Sequence, residues 1–182
     1  MIIDTIIGKK NMIKNNKSNN MITLQQLIDD YKSHNTEVRK ERRKKTSEFY
    51  TPYSIVKKMM DKISADDWSD PDKTFCEPCF GDGNFVIGIL YRRIVEYGID
   101  WKTALETCYG VELMQDNVYE THGRIIKLFD ALGIDYDEDE AMDIMLRNLV
   151  CHDFFTWDFE HWRPYTEEEF KQISKKKKTT GK

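Results

Sequence analysis

The segment Lys73-Thr-Phe-Cys-Glu-Pro-Cys-Phe-Gly-Asp-Gly-Asn-Phe85 carries the strongest indication of the fold class. A short β-prone segment ending at Glu77 runs into the glycine turn Gly81-Asp-Gly83, and a helical pattern begins at Asn84. Glycine permits the positive φ angles and the close backbone approach that such a turn needs. The helix that follows presents free N–H groups at its start. Because glycine turns commonly join strands to helices, the surrounding sequence must decide what this one does.

Strands and helices continue to alternate on the carboxyl side of the turn. A helix is predicted over 84–98, a second strand over 107–112, a second helix over 115–132 and a third strand over 148–152. Strands separated by helices favour parallel pairing through right-handed crossovers. The sequence therefore predicts an α/β fold whose three parallel strands are one half of a doubly wound sheet.

Composition and pattern divide the chain into four parts. Thr23 is suited to cap a short helix, and a second helix is predicted to start after Pro52. A basic run over 39–45 separates the two, and the acidic stretch 135–140 is expected to be a solvated loop. The four parts are a flexible leader over 1–20, a helical N-terminal segment over 21–65, an α/β domain over 66–160 and a polar, Lys-rich tail over 161–182.

The net charge of −4 conceals a strong asymmetry along the chain. Residues 1–60 hold 13 Lys and Arg against 6 Asp and Glu, whereas residues 61–160 hold 8 against 23. Residues 161–182 hold 7 against 3. A phosphate backbone repels an acidic surface, so any DNA contact made by this chain is expected at its basic ends. The alternative is that both ends are solvated tails.

Cysteine content and hydropathy indicate the class of protein. Four cysteines without a secretory signal predict reduced thiols in a cytoplasmic, soluble protein. The apolar opening 1–7 is too short to span a membrane. Cys76 and Cys79 match Cys-x-x-Cys, but a structural zinc site needs a second pair, and Cys108 and Cys151 stand apart. We therefore expect neither a membrane span nor a metal site.

Three strand ends carry residues suited to an adenosine-containing cofactor. In doubly wound sheets, ligands bind at the carboxyl ends of the strands. The first end carries the glycine turn, and the second carries Glu112, whose carboxylate can accept the hydroxyl hydrogens of a ribose. The third carries Asp153, which can accept a hydrogen bond from an adenine amino group while Phe154 packs on the ring. These residues leave the cofactor open between a nicotinamide dinucleotide and S-adenosylmethionine.

The composition of the glycine turn favours S-adenosylmethionine. Dinucleotide-binding loops have a third glycine three residues after the second, and this sequence has Val86 there. Asp82, between the two glycines, would repel a pyrophosphate but suits a cofactor that carries a positive sulfonium and an amino group. A nicotinamide-binding domain is the less favoured alternative.

Two motifs together carry a resemblance to a known family. Ser47-Glu-Phe-Tyr-Thr-Pro52, upstream of Glu77-Pro-Cys-Phe-Gly-Asp-Gly-Asn-Phe85, resembles the amino-terminal half of N6-adenine DNA methyltransferases. The resemblance is to the group that includes type I modification subunits and fused restriction–modification enzymes. It covers roughly residues 39–159, with four motifs in the family's order. It implies a Rossmann-like S-adenosylmethionine-dependent methyltransferase fold, incomplete at its C-terminal end, that acts on DNA.

The resemblance also implies a role for each motif. A Phe-Tyr-Thr-Pro segment closes over the methionine part of the cofactor, and the glycine turn holds its amino acid group. An acidic residue after the second strand holds the ribose, and an Asp-Phe pair flanks the adenine. The cofactor-binding residues implied in this way are Phe49, Tyr50, Thr51, Pro52, Glu77, Pro78, Gly81, Asp82, Gly83, Asn84, Phe85, Glu112, Leu113, Asp153 and Phe154.

The sequence departs from the family at the catalytic motif. That motif is an Asn/Asp-Pro-Pro-Tyr/Phe loop that holds the target amino group and stacks on a flipped base. None of the chain's prolines is adjacent to another: they are Pro52, Pro71, Pro78 and Pro164. No catalytic residue is therefore assigned, and we expect cofactor binding without unaided methyl transfer.

Three explanations of the missing half remain open at this point. The chain is a truncated gene product, one subunit of a split enzyme whose second polypeptide brings the catalytic loop, or a non-catalytic module that docks to DNA or to a partner protein. A small-molecule methyltransferase is a further alternative, although the Phe-Tyr-Thr-Pro segment favours DNA.

Overall fold

A computed structural model describes residues 22–29, 31 and 51–179, with only the backbone described from 174 onwards. The leader 1–20, the basic run 39–45, Phe49 and Tyr50 lie outside the described residues. The helices are α1 Leu24–Asp29, α2 Tyr53–Met60, α3 Ala65–Ser69, α4 Asn84–Tyr91, α5 Trp101–Glu106, α6 Gln115–Leu132, α7 Glu138–Asn148 and α8 Glu167–Thr179. The strands are β1 Phe75–Glu77, β2 Cys108–Glu112, β3 Leu149–Cys151, β4 Trp157–Asp158 and β5 Arg163–Pro164.

The central element is a parallel sheet with strand order β1-β2-β3. Phe75 is paired with Cys108 and Gly110 with Leu149, so the three carboxyl ends meet at one edge. Each crossover contains helices, as parallel pairing requires. The predicted strands and the α/β class are confirmed, and the third strand is shorter than expected by one residue at each end.

Helix α4 lies in the middle of the core. Seven of its eight residues are buried, and it contacts α1, α2 and α6 as well as the first two strands. At Gly88 a Cβ would lie 2.7 Å from Met60 Sδ, so the missing side chain allows α2 to approach closely. The helix predicted over 84–98 is α-helical as far as Tyr91 and continues as a π-helical turn over Arg92–Glu96.

The N-terminal helices form where the sequence predicts them. Thr23 caps α1 by accepting a hydrogen bond from the Gln26 amide at 3.3 Å, and Pro52 precedes α2. The helical spacing in α2 predicted one core-facing surface, but that surface is only partly buried: Val56 and Met60 face the core, and Ile55, Met59 and Ile63 are exposed. The apolar face of α2 is therefore wider than the area that α4 covers, so its outer residues stay exposed.

The expectation of a solvated loop over 135–140 is wrong for its second half. Helix α7 begins at Glu138, and Asp137 caps it by accepting a hydrogen bond from the Glu140 amide at 2.9 Å. Acidic side chains in a first turn interact favourably with the helix dipole. The acidic cluster is therefore a helix start, and the apolar residues behind it, Ala141, Ile144 and Met145, are buried.

The polar tail expected over 161–182 contains regular structure. Strands β4 and β5 form an antiparallel hairpin, and α8 follows. Trp162 contacts Tyr109 edge to face at 4.8 Å and Trp157 at 5.3 Å between ring centroids. The hairpin thus packs on the face of the sheet opposite the main core, where Val111 of β2 and Trp157 of the hairpin are both buried. Among the described residues, no helix has the length and the apolar character to cross a membrane.

Candidate functional site

The glycine turn has the backbone that its sequence predicts. Gly81 and Gly83 have φ angles of 54° and 89°. The Gly83 amide donates to the Phe80 carbonyl at 2.8 Å, and Gly83 then caps α4. A Cβ at Gly83 would lie 2.7 Å from the side chain of Thr121, whose hydroxyl donates to the Gly81 carbonyl at 3.3 Å. Helix α6 therefore restrains the turn through the Thr121 side chain.

Glu112, at the end of β2, is joined to this turn directly. Its carboxylate is 8% exposed and accepts hydrogen bonds from the Gly81 amide and from the Met114 amide, both at 2.9 Å. Asn117 Nδ2 lies 3.4 Å from the same carboxylate. An ionised carboxylate offers about four acceptor positions, so Glu112 can fix the turn and still accept a ligand hydroxyl.

The Thr51-Pro52 segment lies against the turn on its other side. Asn84, the first residue of α4, is buried and donates from Nδ2 to the Thr51 carbonyl at 3.0 Å. Its Oδ1 atom is also buried and accepts no hydrogen bond from any described residue. Because a buried acceptor without a donor is costly, this oxygen is suited to a ligand amino group, and a methionine ammonium fits that requirement.

Negative charge is concentrated around the turn. Glu77, half-buried at the end of β1, has a carboxyl pKa raised by burial. The pKa of the Cys79 thiol is raised first by burial and then by the charges of Glu112, Glu77 and Asp153. All three carboxylates are therefore close enough to act on one thiol. Such a site favours a cationic ligand over a pyrophosphate.

The third strand end contributes an exposed aromatic surface. Asp153 accepts a hydrogen bond from the Phe155 amide at 2.9 Å and caps the 3-10 turn Phe154–Thr156. Phe154 is 37% exposed and packs edge to face on Phe155 at 5.3 Å. The strand end is held to β2 by a hydrogen bond from the His152 amide to the Glu112 carbonyl at 2.9 Å.

The remaining predicted residues differ in their surroundings. Leu113, next to Glu112, is exposed, and its carbonyl lies 3.5 Å from Cys151 Sγ. Asp82 is buried beside Arg124, with 3.4 Å between its Oδ2 atom and Nη1. Pro78 is exposed and Phe85 is half-buried. Within the described ranges, no group of three or more His, Cys, Asp or Glu is placed to hold a metal ion.

Sequence reasoning missed the supporting residues on α6. Asn117, Thr121 and Arg124 are buried and contact Glu112, Gly81 and Asp82 respectively. They recur at positions i, i+4 and i+7, which places them on one face of a helix. Polar residues at that spacing between apolar core positions are the signal that would have identified them.

The chain is similar to the type II methyltransferase M.VspI of Vibrio sp. (strain 343). The two are 30% identical over 146 residues, which cover 78% of this chain and 33% of the relative. The similarity supports a methyltransferase family, and the three-stranded parallel sheet is consistent with a methyltransferase fold. The chain spans about a third of the relative's length. No family model and no solved structure matches the chain.

Proposed function

We propose that this chain is the S-adenosylmethionine-binding portion of a DNA adenine N6-methyltransferase of the restriction–modification type, with a Rossmann-like fold. The observation that carries the proposal is the hydrogen bond from the Gly81 amide to Glu112, which joins the turn after β1 to the end of β2. The similarity to a methyltransferase supports the same cofactor. Binding at the carboxyl ends of parallel strands follows the general rule for such sheets.

Each part of the cofactor has proposed partners. Glu112 accepts a ribose hydroxyl, and Asp153 accepts from the adenine amino group while Phe154 and Leu113 cover the ring. The buried Asn84 Oδ1, with Glu77 and the backbone of Gly81–Gly83, receives the methionine ammonium. The family resemblance assigns closure over the methionine to the segment Phe49–Pro52, and it assigns the amino acid group to the turn that contains Pro78. S-adenosylmethionine supplies the methyl group when bound, and this chain's residues bind and orient it.

Isothermal titration of the full chain with S-adenosylmethionine tests the proposal, with NAD as the competing ligand. We expect saturable binding of S-adenosylmethionine alone. Glu112→Gln keeps the volume of the side chain and one acceptor, and is expected to weaken binding about tenfold through the lost charged hydrogen bonds. Glu106→Gln, at the opposite end of β2, is the matched control. Binding of NAD in place of S-adenosylmethionine would contradict the proposed site. Equal affinity of Glu112→Gln and Glu106→Gln for S-adenosylmethionine would contradict it as well.

We further propose that methyl transfer requires a second polypeptide segment, which pairs with the outer edge of β1. The pairing register turns the backbone N–H and C=O of Cys76 away from β2. Parallel sheets are normally covered on both faces, yet the Cys76 side chain is exposed. Beside it is a groove of about 300 Å³ lined by Thr74, Cys76, Tyr109, Phe159, Glu160 and Trp162.

Co-expression with a polypeptide that contains an Asn-Pro-Pro-Tyr loop tests this second proposal. The expected result is a complex that methylates adenine in DNA, which neither polypeptide does alone. Thiol labelling of Cys76 is expected to fall in the complex, while Cys79, exposed in the turn beyond β1, serves as the internal comparison. Full labelling of Cys76 in an active complex would place the partner elsewhere.

Direct DNA binding by the basic run 39–45 is the alternative function, favoured by the charge distribution. The described body of the chain is acidic, so phosphate contacts fall to the Lys- and Arg-rich segments. A steep fall of DNA affinity with salt, abolished by neutralising Arg42, Arg43, Lys44 and Lys45, would support a docking module. Unchanged affinity in that variant would exclude the run as the contact.

A further inference from the structure

The side chain of Arg124 connects two segments that are far apart in the sequence. It extends from α6, is 4% exposed, and donates from Nη1 to the Asp82 carbonyl at 2.7 Å. From Nη2 it donates to the Leu27 carbonyl in α1 at 3.2 Å. The planar guanidinium is suited to such a bridge because its donors point in fixed, divergent directions. One side chain thus links α1 to the glycine turn.

A second contact secures the same end of α1. The Arg124 guanidinium carbon lies 3.9 Å from the centroid of the Tyr31 ring, within the range of a cation–π interaction. The Tyr31 hydroxyl donates a hydrogen bond to Glu120, one turn earlier on α6. Leu27 and Tyr31 are therefore held on the surface of α6 that also supports the turn, through contacts that converge on Arg124 and its neighbour Glu120.

The contacts at the turn are of the kind that fixes its shape. Arg124 bonds to the backbone carbonyl between the two glycines, while Thr121, three residues earlier on α6, bonds to the Gly81 carbonyl. Because each peptide unit is planar, these two carbonyls set the direction of the amides of Asp82 and Gly83. A displacement of Arg124 by the N-terminal segment therefore alters the shape of the glycine turn, and a change in the turn displaces Arg124 in the same way.

We infer that Arg124 is a positioning residue that couples the docking of residues 22–29 and Tyr31 to the shape of the glycine turn, so that each favours the other. Its consequence for S-adenosylmethionine rests on the proposed function. By linkage, a cofactor that binds the ordered turn also favours the docked N-terminal segment, and the coupling is equal in both directions.

Hydrogen exchange of the full-length chain tests the coupling without any cofactor. In Arg124→Gln, the amides of Gly81 and Gly83 are expected to exchange several-fold faster, together with those of α1, while those of β2 keep their rates. Arg124→Lys restores part of the protection because a lysine can satisfy one carbonyl but not both. Lys127→Gln removes an exposed cation from the same helix and is expected to change neither segment.

Tyr31→Leu makes the test independent of any folding defect at Arg124. This variant alters only the N-terminal side of the bridge, and the inference predicts faster exchange at Gly81 and Gly83 as well. Unchanged rates at the turn in this variant would overturn the coupling, whatever Arg124→Gln does. Titration with S-adenosylmethionine then adds a separate result, since Tyr31→Leu is expected to bind it more weakly than the wild type. If the wild type does not bind it, the proposed function is wrong, but the coupling measured by hydrogen exchange is unaffected.

Discussion

At Gly83 the backbone φ angle is 89°, and a Cβ built there would lie 2.7 Å from the Thr121 side chain. Two requirements therefore meet at one residue. A left-handed backbone disfavours any L side chain, and the contact with α6 leaves no volume for one. The second requirement is absent at Gly98, where φ is 69° and no atom lies within 4 Å of the built Cβ.

Gly83→Ala is expected to lower the free energy of unfolding by roughly 2–4 kcal/mol, combining the backbone penalty with overpacking against Thr121. Gly98→Ala is the matched control and is expected to lose about 1–2 kcal/mol, from the backbone alone. Urea denaturation of the two variants measures the difference. Equal losses of unfolding free energy would show that the Thr121 side chain moves away without an energetic penalty. The contact with α6 would then not restrain the turn.

Helix α8 is bound to the β4–β5 hairpin through residues of its first turn. Glu169 forms two hydrogen bonds with Arg163 of β5, at 2.7 and 2.9 Å. It also accepts from the Thr166 amide at 2.8 Å, while the Thr166 hydroxyl accepts from the Glu169 amide at 3.3 Å. This reciprocal pair is a capping box. The helix start and the hairpin therefore share one carboxylate.

The pKa of Glu169 is expected to be low for this reason. The Arg163 hydrogen bonds, followed by those of Thr166, lower the pKa of this carboxyl from 4.5 to about 2. Because the folded pKa is depressed, the stabilisation is complete above pH 4.5 and is lost as pH falls through 2. An NMR titration of Glu169 measures this directly. Arg163→Gln should return the pKa towards 4.5, whereas Lys171→Gln, whose partner is Glu167, should not.

At the scale of the whole molecule, Arg93 joins the loop before β1 to the start of β2. Its side chain is completely buried and donates to the carbonyls of Lys73 and Asp70, at 2.7 and 2.9 Å, and to the Thr107 hydroxyl at 2.7 Å. Its guanidinium carbon also lies 5.1 Å from the centroid of the Phe75 ring. These partners hold the first strand in register with the second.

Arg93→Met is expected to lower the free energy of unfolding by roughly 3–5 kcal/mol, since it removes three hydrogen bonds from a fully buried charged donor. Arg93→Lys should recover little, because an ammonium cannot reproduce the forked geometry. Arg147→Met, which removes an exposed arginine from α7, is the control and should change stability by less than about 0.5 kcal/mol. A small loss in Arg93→Met, measured by thermal or urea unfolding, would contradict this role.

Local sequence patterns were sufficient to predict the strands, the glycine turn and the helix that follows it. These depend on interactions between residues close in the chain: positive φ at Gly81 and Gly83, the helix start at Pro52, and apolar periodicity in α6. The same reasoning failed at 135–140, where an acidic cluster suited both a solvated loop and a helix start. Only the burial of Ala141, Ile144 and Met145 distinguishes the two.

The tertiary structure alone decided how the candidate site is held. No local pattern indicates that Glu112 accepts from the Gly81 amide, that Asn84 reaches the Thr51 carbonyl, or that Arg124 bridges Asp82 and Leu27. Each of these bonds joins residues more than thirty positions apart. Their partners are fixed by the sheet register and by the packing of α6, because a buried polar group bonds to whichever partner the fold brings within reach.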